Sequence, residues 1–130
     1  MENRYFCPEC KSDLLVDGHI ILTAQAKSGK GLILFEPKIG NYNFRKHDNF
    51  VLETDEKVVF SCPVCSKNLS EKDDSLAQIC LQDSEGDVYE LWFSEMVGKE
   101  ATYKIKPGVF EAFGKDNQIY LNHFGHEPTY

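Results

Sequence analysis

No stretch of this chain approaches the roughly 20 apolar residues of a membrane-spanning helix, so helical passage through a bilayer is excluded. The first residues, Met1-Glu2-Asn3-Arg4-Tyr5-Phe6, lack the apolar core of a secretory signal. These two absences lead us to expect a soluble, cytoplasmic protein with no membrane partner. Positive charge is also scarce, with 14 Lys and Arg against 21 Asp and Glu and a formal net charge of −7. Nucleic-acid affinity rests largely on neutralising phosphates with Lys and Arg. The densest basic cluster, Arg45-Lys46-His47, is followed at once by Asp48, so composition disfavours a nucleic-acid partner. Helical periodicity is scarce as well: Met96 to Tyr103 is a weak candidate, and Gly98 interrupts it.

Familiar catalytic patterns are missing too. Gly29-Lys30-Gly31 lacks the first glycine and the final Ser or Thr of a phosphate-binding loop. It sits between two apolar runs and reads as a hairpin turn. Carboxylates are numerous, but none forms a persuasive acid/base pair. Cys80 lies between Ile79 and Leu81 on an expected strand and reads as a small buried hydrophobe.

What is present is an interior and a pattern of cysteines. Hydrophobic residues make up 42% and aromatics 12% of 130 residues, enough for a single compact domain over 1–130. Ile20 to Ala24, Leu32 to Phe35, Val58 to Phe60, Leu76 to Gln82, Val88 to Phe93 and Ile119 to Leu121 read as strands between turn-forming clusters. The expected fold class is all-β, with about six strands.

The five cysteines comprise two pairs and Cys80. Cys7-Pro8-Glu9-Cys10-Lys11-Ser12-Asp13-Leu14 and Cys62-Pro63-Val64-Cys65-Ser66-Lys67-Asn68-Leu69 share one pattern, CPxC followed four residues later by leucine. Such a turn brings both sulfurs to one side, and its N–H groups can share their negative charge. Two such turns supply the four ligands of a tetrahedral zinc site: Cys7, Cys10, Cys62 and Cys65. The 51 residues between Cys10 and Cys62 exceed the usual spacing of ~15–20. Loop entropy grows only logarithmically, so tripling a loop costs about 1 kcal/mol. Structural zinc contributes on the order of 10–16 kcal/mol in small peptides, so coordination outweighs the longer loop. A thiol-redox reading of CPxC needs a helix after the motif, and Lys11 to Gly18 has no such pattern.

The chain also repeats. A shift of 55 carries Cys7, Cys10 and Leu14 onto Cys62, Cys65 and Leu69. Shifts of 57 and 58 then carry Ser28-Gly29 onto Glu85-Gly86, Ile33-x-Phe35 onto Leu91-x-Phe93, and Ile39-Gly40 onto Val97-Gly98. We therefore expect an internal repeat, 1–61 and 62–130. A further shift of 61 carries Asp55-x-x-Val58-x-Phe60-x-Cys62 onto Asp116-x-x-Ile119-x-Leu121-x-His123. It places His123 and His126 where a third pair of ligands would stand. They form a candidate second metal site, against the plainer reading of two tail histidines.

The two CPxCxxxL segments resemble the knuckles of zinc-ribbon and rubredoxin-like proteins. The resemblance covers these segments alone and matches Cys7, Cys10, Cys62 and Cys65 to the ligand positions. It implies structural Zn2+. An iron site has the same four-thiolate geometry, but nothing here selects electron transfer. Zinc ribbons occur in transcription, ribosomal and interaction proteins, so the resemblance leaves the activity open. The expected function is a non-enzymatic, zinc-stabilised β module serving protein interaction or regulation. The alternatives are a nucleic-acid-binding, transcription-related ribbon and a metal- or thiol-dependent enzyme. A homodimer is compatible with exposed strand edges.

Overall fold

The computed structural model describes residues 3–70 and 76–124, with side chains to residue 120. It contains ten strands. In the first half these are β1 (Arg4–Phe6), β2 (Leu15–Val16), β3 (His19–Ala26), β4 (Gly29–Phe35) and β5 (Phe44–Lys46). In the second, counted from Val59 instead of residue 62 because β6 leads into Cys62 as β1 leads into Cys7, they are β6 (Val59–Ser61), β7 (Leu76–Gln82), β8 (Val88–Ser94), β9 (Thr102–Lys106) and β10 (Val109–Phe113). A 3-10 helix over Asn117–Phe124 follows. The fold is therefore all-β, as the alternating apolar patterns indicate.

The count of about six strands was low. The strands missed are β1, β2, β5, β9 and β10; the first three have three residues or fewer, too few for alternation to register. Two further expectations are corrected. Met96 to Tyr103 is not helical: Met96 forms a bridge with Lys57, and β9 begins at Thr102. Ile119-Tyr120-Leu121 lies in the 3-10 helix and is not a strand. Tyr120 is pulled under the sheet, where its hydroxyl meets Ser94 Oγ at 2.8 Å, and that burial overrides the β preference of the sequence.

The strands form two antiparallel sheets. One runs β1-β7-β8-β9-β10; the other runs β2-β3-β4-β5, with β6 pairing with β3 beside β2. Their inward faces share one core. Ile20, Leu22, Ala24 and Ile33 meet Ala77, Ile79, Leu81 and Leu91 there. The alternating burial of β3 follows from the period of two along a strand. Strand β7 is buried on both faces. Its Leu76 joins Trp92, Ala101, Tyr103 and Tyr120 in a second cluster on the outer face of the first sheet. Among the described residues no such cluster covers the outer face of the second sheet, and Leu32 there is 52% exposed.

Each short strand before a cysteine pair crosses into the other half's sheet. Strand β1 pairs Arg4, Tyr5 and Phe6 with Gln82, Leu81 and Cys80 of β7. Strand β6 pairs Val59, Phe60 and Ser61 with Gln25, Ala24 and Thr23 of β3. A shift of 55 on the short strands and 57 on the long ones superposes these registers. Pairings between β3 and β4 become those between β7 and β8 under shifts of 57 and 58, reflecting one extra residue in the second hairpin loop. A shift of 58 on both strands carries the Ile33–Lys46 and Phe35–Phe44 pairings onto Leu91–Lys104 and Phe93–Thr102.

Candidate metal centre

Each cysteine pair sits on a tight turn between a crossing strand and a leucine. In the first, Cys7 N–H donates to Ser12 O at 3.1 Å and Leu14 N–H to Tyr5 O at 2.8 Å. In the second, Cys62 N–H donates to Lys67 O at 3.0 Å and Leu69 N–H to Phe60 O at 2.9 Å. Lys11 (φ 64°) and Ser66 (φ 65°) adopt left-handed backbone at equivalent places. That conformation turns the chain back after the second cysteine, at a steric cost to a side-chain-bearing residue. Glu9 N–H points at Cys7 Sγ from 3.3 Å and Val64 N–H at Cys62 Sγ from 3.4 Å. Leu14 and Leu69 fix the turns to the core with 1% and 4% exposure.

The two turns meet. Cys7 Sγ lies 3.8 Å from Cys65 Sγ, and Cys10 Sγ lies 3.8 Å from Cys62 Sγ. All four sulfurs fall within 4.8 Å of one another. A zinc–sulfur bond of about 2.3 Å in a tetrahedron demands sulfur–sulfur edges of about 3.8 Å. The four thiols thus fit a metal ion of that size and preference. Cys7 and Cys62 are buried, while Cys10 and Cys65 lie towards the surface.

The electrostatics differ between the inner and outer sulfurs. The Ser12 side chain and then its backbone hydrogen bond to Cys10 and bring that thiol down to about 6. Burial pushes Cys62 up to about 12. A buried thiolate is costly without a compensating charge, and a bound dication supplies one. Ser12 was overlooked in the sequence. Its signal was its place two residues after a ligand, where a hydroxyl can reach the sulfur.

The histidine pair cannot be placed in the same way. His123 has its backbone in the 3-10 helix, its side chain lies outside the described residues, and so does the whole of His126. The 3-10 helix breaks the strand match on which their alignment with Cys62 and Cys65 depended. Among the described residues, the other group with ligand-like spacing is Asp83, Glu85 and Asp87 in the β7–β8 loop. There Asp83 Oδ1 accepts the N–H groups of Glu85 and Asp87, each at 3.0 Å, as a loop cap does. Cys80 is buried on β7 with Gln78 Nε2 3.9 Å away. Gly29-Lys30-Gly31 opens β4 directly after the β3–β4 turn.

Among the described residues, no helix is long and apolar enough to cross a membrane. No family model matches the chain, and comparison with curated proteins and with solved structures gives no match either.

Proposed function

We propose that the four thiolates hold structural Zn2+ and that the protein is a non-catalytic β module acting by binding, in protein interaction or regulation. The observation that carries this reading is the pair of 3.8 Å contacts between sulfurs of opposite turns. Four thiolates saturate tetrahedral zinc and leave no position for water or substrate. An interaction module also needs exposed apolar surface, and among the described residues the outer face of the second sheet, with exposed Leu32, offers some.

We further infer that the two halves are copies of one unit, joined by exchange of their cysteine-bearing strands. The shared shifts in strand pairing support this. So does the recurrence of left-handed Lys11 at Ser66. In this reading the metal sits where the copies meet and clamps the exchanged strands together.

Elemental analysis combined with thiol alkylation tests the metal assignment. The expected result is one zinc per chain, with all four paired cysteines protected from iodoacetamide until a chelator is added. A metal-loaded protein in which Cys10 or Cys65 alkylates freely without metal loss would refute saturation and reopen a thiol or open-site mechanism.

A further inference from the structure

The two sheets do not close completely on each other. Between them lies a cavity of about 320 Å3. Close-packed interiors contain few voids larger than a water molecule. An apolar cavity of about 150 Å3 stays dry and already admits benzene. This one therefore has room for a two-ring molecule.

Its lining is apolar in both halves. The first half contributes Ile33, Phe35 and Ile39, and the second contributes their partners under the shift of 58, Leu91, Phe93 and Val97. Phe60 adds a third ring. Phe35, Phe60 and Phe93 form a triangle with centroids 5.5 to 6.0 Å apart and planes inclined to one another by 56 to 67°. A flat aromatic guest can meet rings so inclined edge to face, an arrangement that aromatic pairs prefer.

The polar groups around the cavity favour no charged guest. Segments 36–42 and 94–102 form the mouth, where Tyr42 OH meets Thr102 Oγ1 at 2.9 Å. Glu36 stands 3.5 Å from His19, and Lys99 stands 3.7 Å from Asp55. Lys38 and Glu100 add one charge of each sign, so the mouth selects neither. Glu95 borders the cavity too, but it is 1% exposed and its Oε2 accepts the Phe60 N–H at 3.4 Å. Its carboxylate is thus turned to the protein and is not offered to a guest. A charged group carried inside would lose its hydration with nothing to replace it.

We propose that the cavity binds an uncharged aromatic molecule of two-ring size, held by Phe35, Phe60 and Phe93 and by the aliphatic side chains that the two halves contribute in pairs. Discrimination would come from burial. A neutral apolar body gains free energy on leaving water, whereas a carboxylate or an ammonium must first be stripped of solvent. Ligand pockets are commonly of this predominantly apolar kind. The proposal is independent of which metal the thiolates hold. It would make the module a sensor or carrier of an apolar small molecule.

A matched naphthalene series tests it on the metal-loaded full chain, by calorimetric titration at neutral pH. The probes are 2-naphthylmethanol, 2-naphthylmethylamine and 2-naphthoic acid, which are neutral, cationic and anionic there. The alcohol is expected to bind with a Kd below about 1 mM and a negative heat-capacity change, the marker of apolar burial. It should bind about 10-fold or more tighter than either ion. Leu91→Trp should fill the space and abolish binding; if it does not fold, Ile33→Phe from the other half serves. The proposal is overturned if the alcohol shows no binding below about 1 mM, or if its preference over either ion is less than about 3-fold. It is equally overturned if binding survives a folded cavity-filling variant. Zinc content measured on each sample separates failure of this proposal from failure of the metal assignment.

Discussion

Removing the metal is the most informative perturbation, because the structure says how much should remain. Structural zinc contributes on the order of 10–16 kcal/mol in small peptides that are unfolded without it. A whole domain has a net stability of about 5–15 kcal/mol. This chain differs from a zinc-finger peptide because other contacts also join its halves. Strands β1 and β6 pair across, and Leu22, Ile33, Ile79 and Leu91 share one core. A metal held by the four thiols would therefore add to an interface that already exists, and we take half of the lower figure, about 5 kcal/mol. For a chain of this size 1 kcal/mol moves Tm by about 3–5 °C, so the expected fall is about 15–25 °C. The assay is thermal unfolding followed by circular dichroism, before and after exhaustive chelation, with elemental analysis confirming metal loss. A fall of less than about 5 °C would show that strand pairing and the core hold the knuckles without help. The clamp argument would then be wrong.

Glu56 gives a pH test. Its carboxylate accepts Lys27 N–H at 2.6 Å and Glu53 N–H at 3.0 Å, and these bonds, that from Lys27 first, hold it below the ordinary value of 4.5. A depressed folded pKa stabilises above the unfolded value and ceases to do so as pH falls through the folded one. Glu56→Gln should therefore be less stable than the parent at pH 7 in urea unfolding, with the difference closing below about pH 4.5; a constant difference would contradict the assignment. Two glycines separate backbone strain from steric clash. Gly40 (φ +94°) has nothing within 4 Å of an added Cβ, whereas Gly114 (φ +95°) would drive one into the Glu100 carbonyl oxygen. Alanine should cost about 1–2 kcal/mol at Gly40 and about 3–4 kcal/mol at Gly114, read from urea midpoints; equal losses would mean the 114 loop yields freely.

The cysteine pairs were legible in the sequence because a CPxC turn is local. Its residue types, spacing and following leucine sit within eight positions and require no distant partner to be recognised. The long strands were legible for a related reason. Leu76 to Gln82 is bounded by polar residues and long enough to display its β-formers, and it forms a strand over that range. Short strands carry no such signal. Arg4–Phe6 is a strand because β7 lies beside it, and that pairing joins Arg4 to Gln82. The misread segment 119–121 shows the converse, since β-forming residues there became a 3-10 helix once Tyr120 found a buried place.

The sequence by itself determined the paired thiols, the turn chemistry and the all-β class, because each depends on neighbours along the chain. Tertiary structure alone decided that the first half's knuckle strand joins the second half's sheet, and the reverse. It alone brought four sulfurs to tetrahedral edge distances. Those features depend on contacts between residues tens of positions apart, whose free energy exists only after the chain has folded and the entropy of closing those loops has been offset.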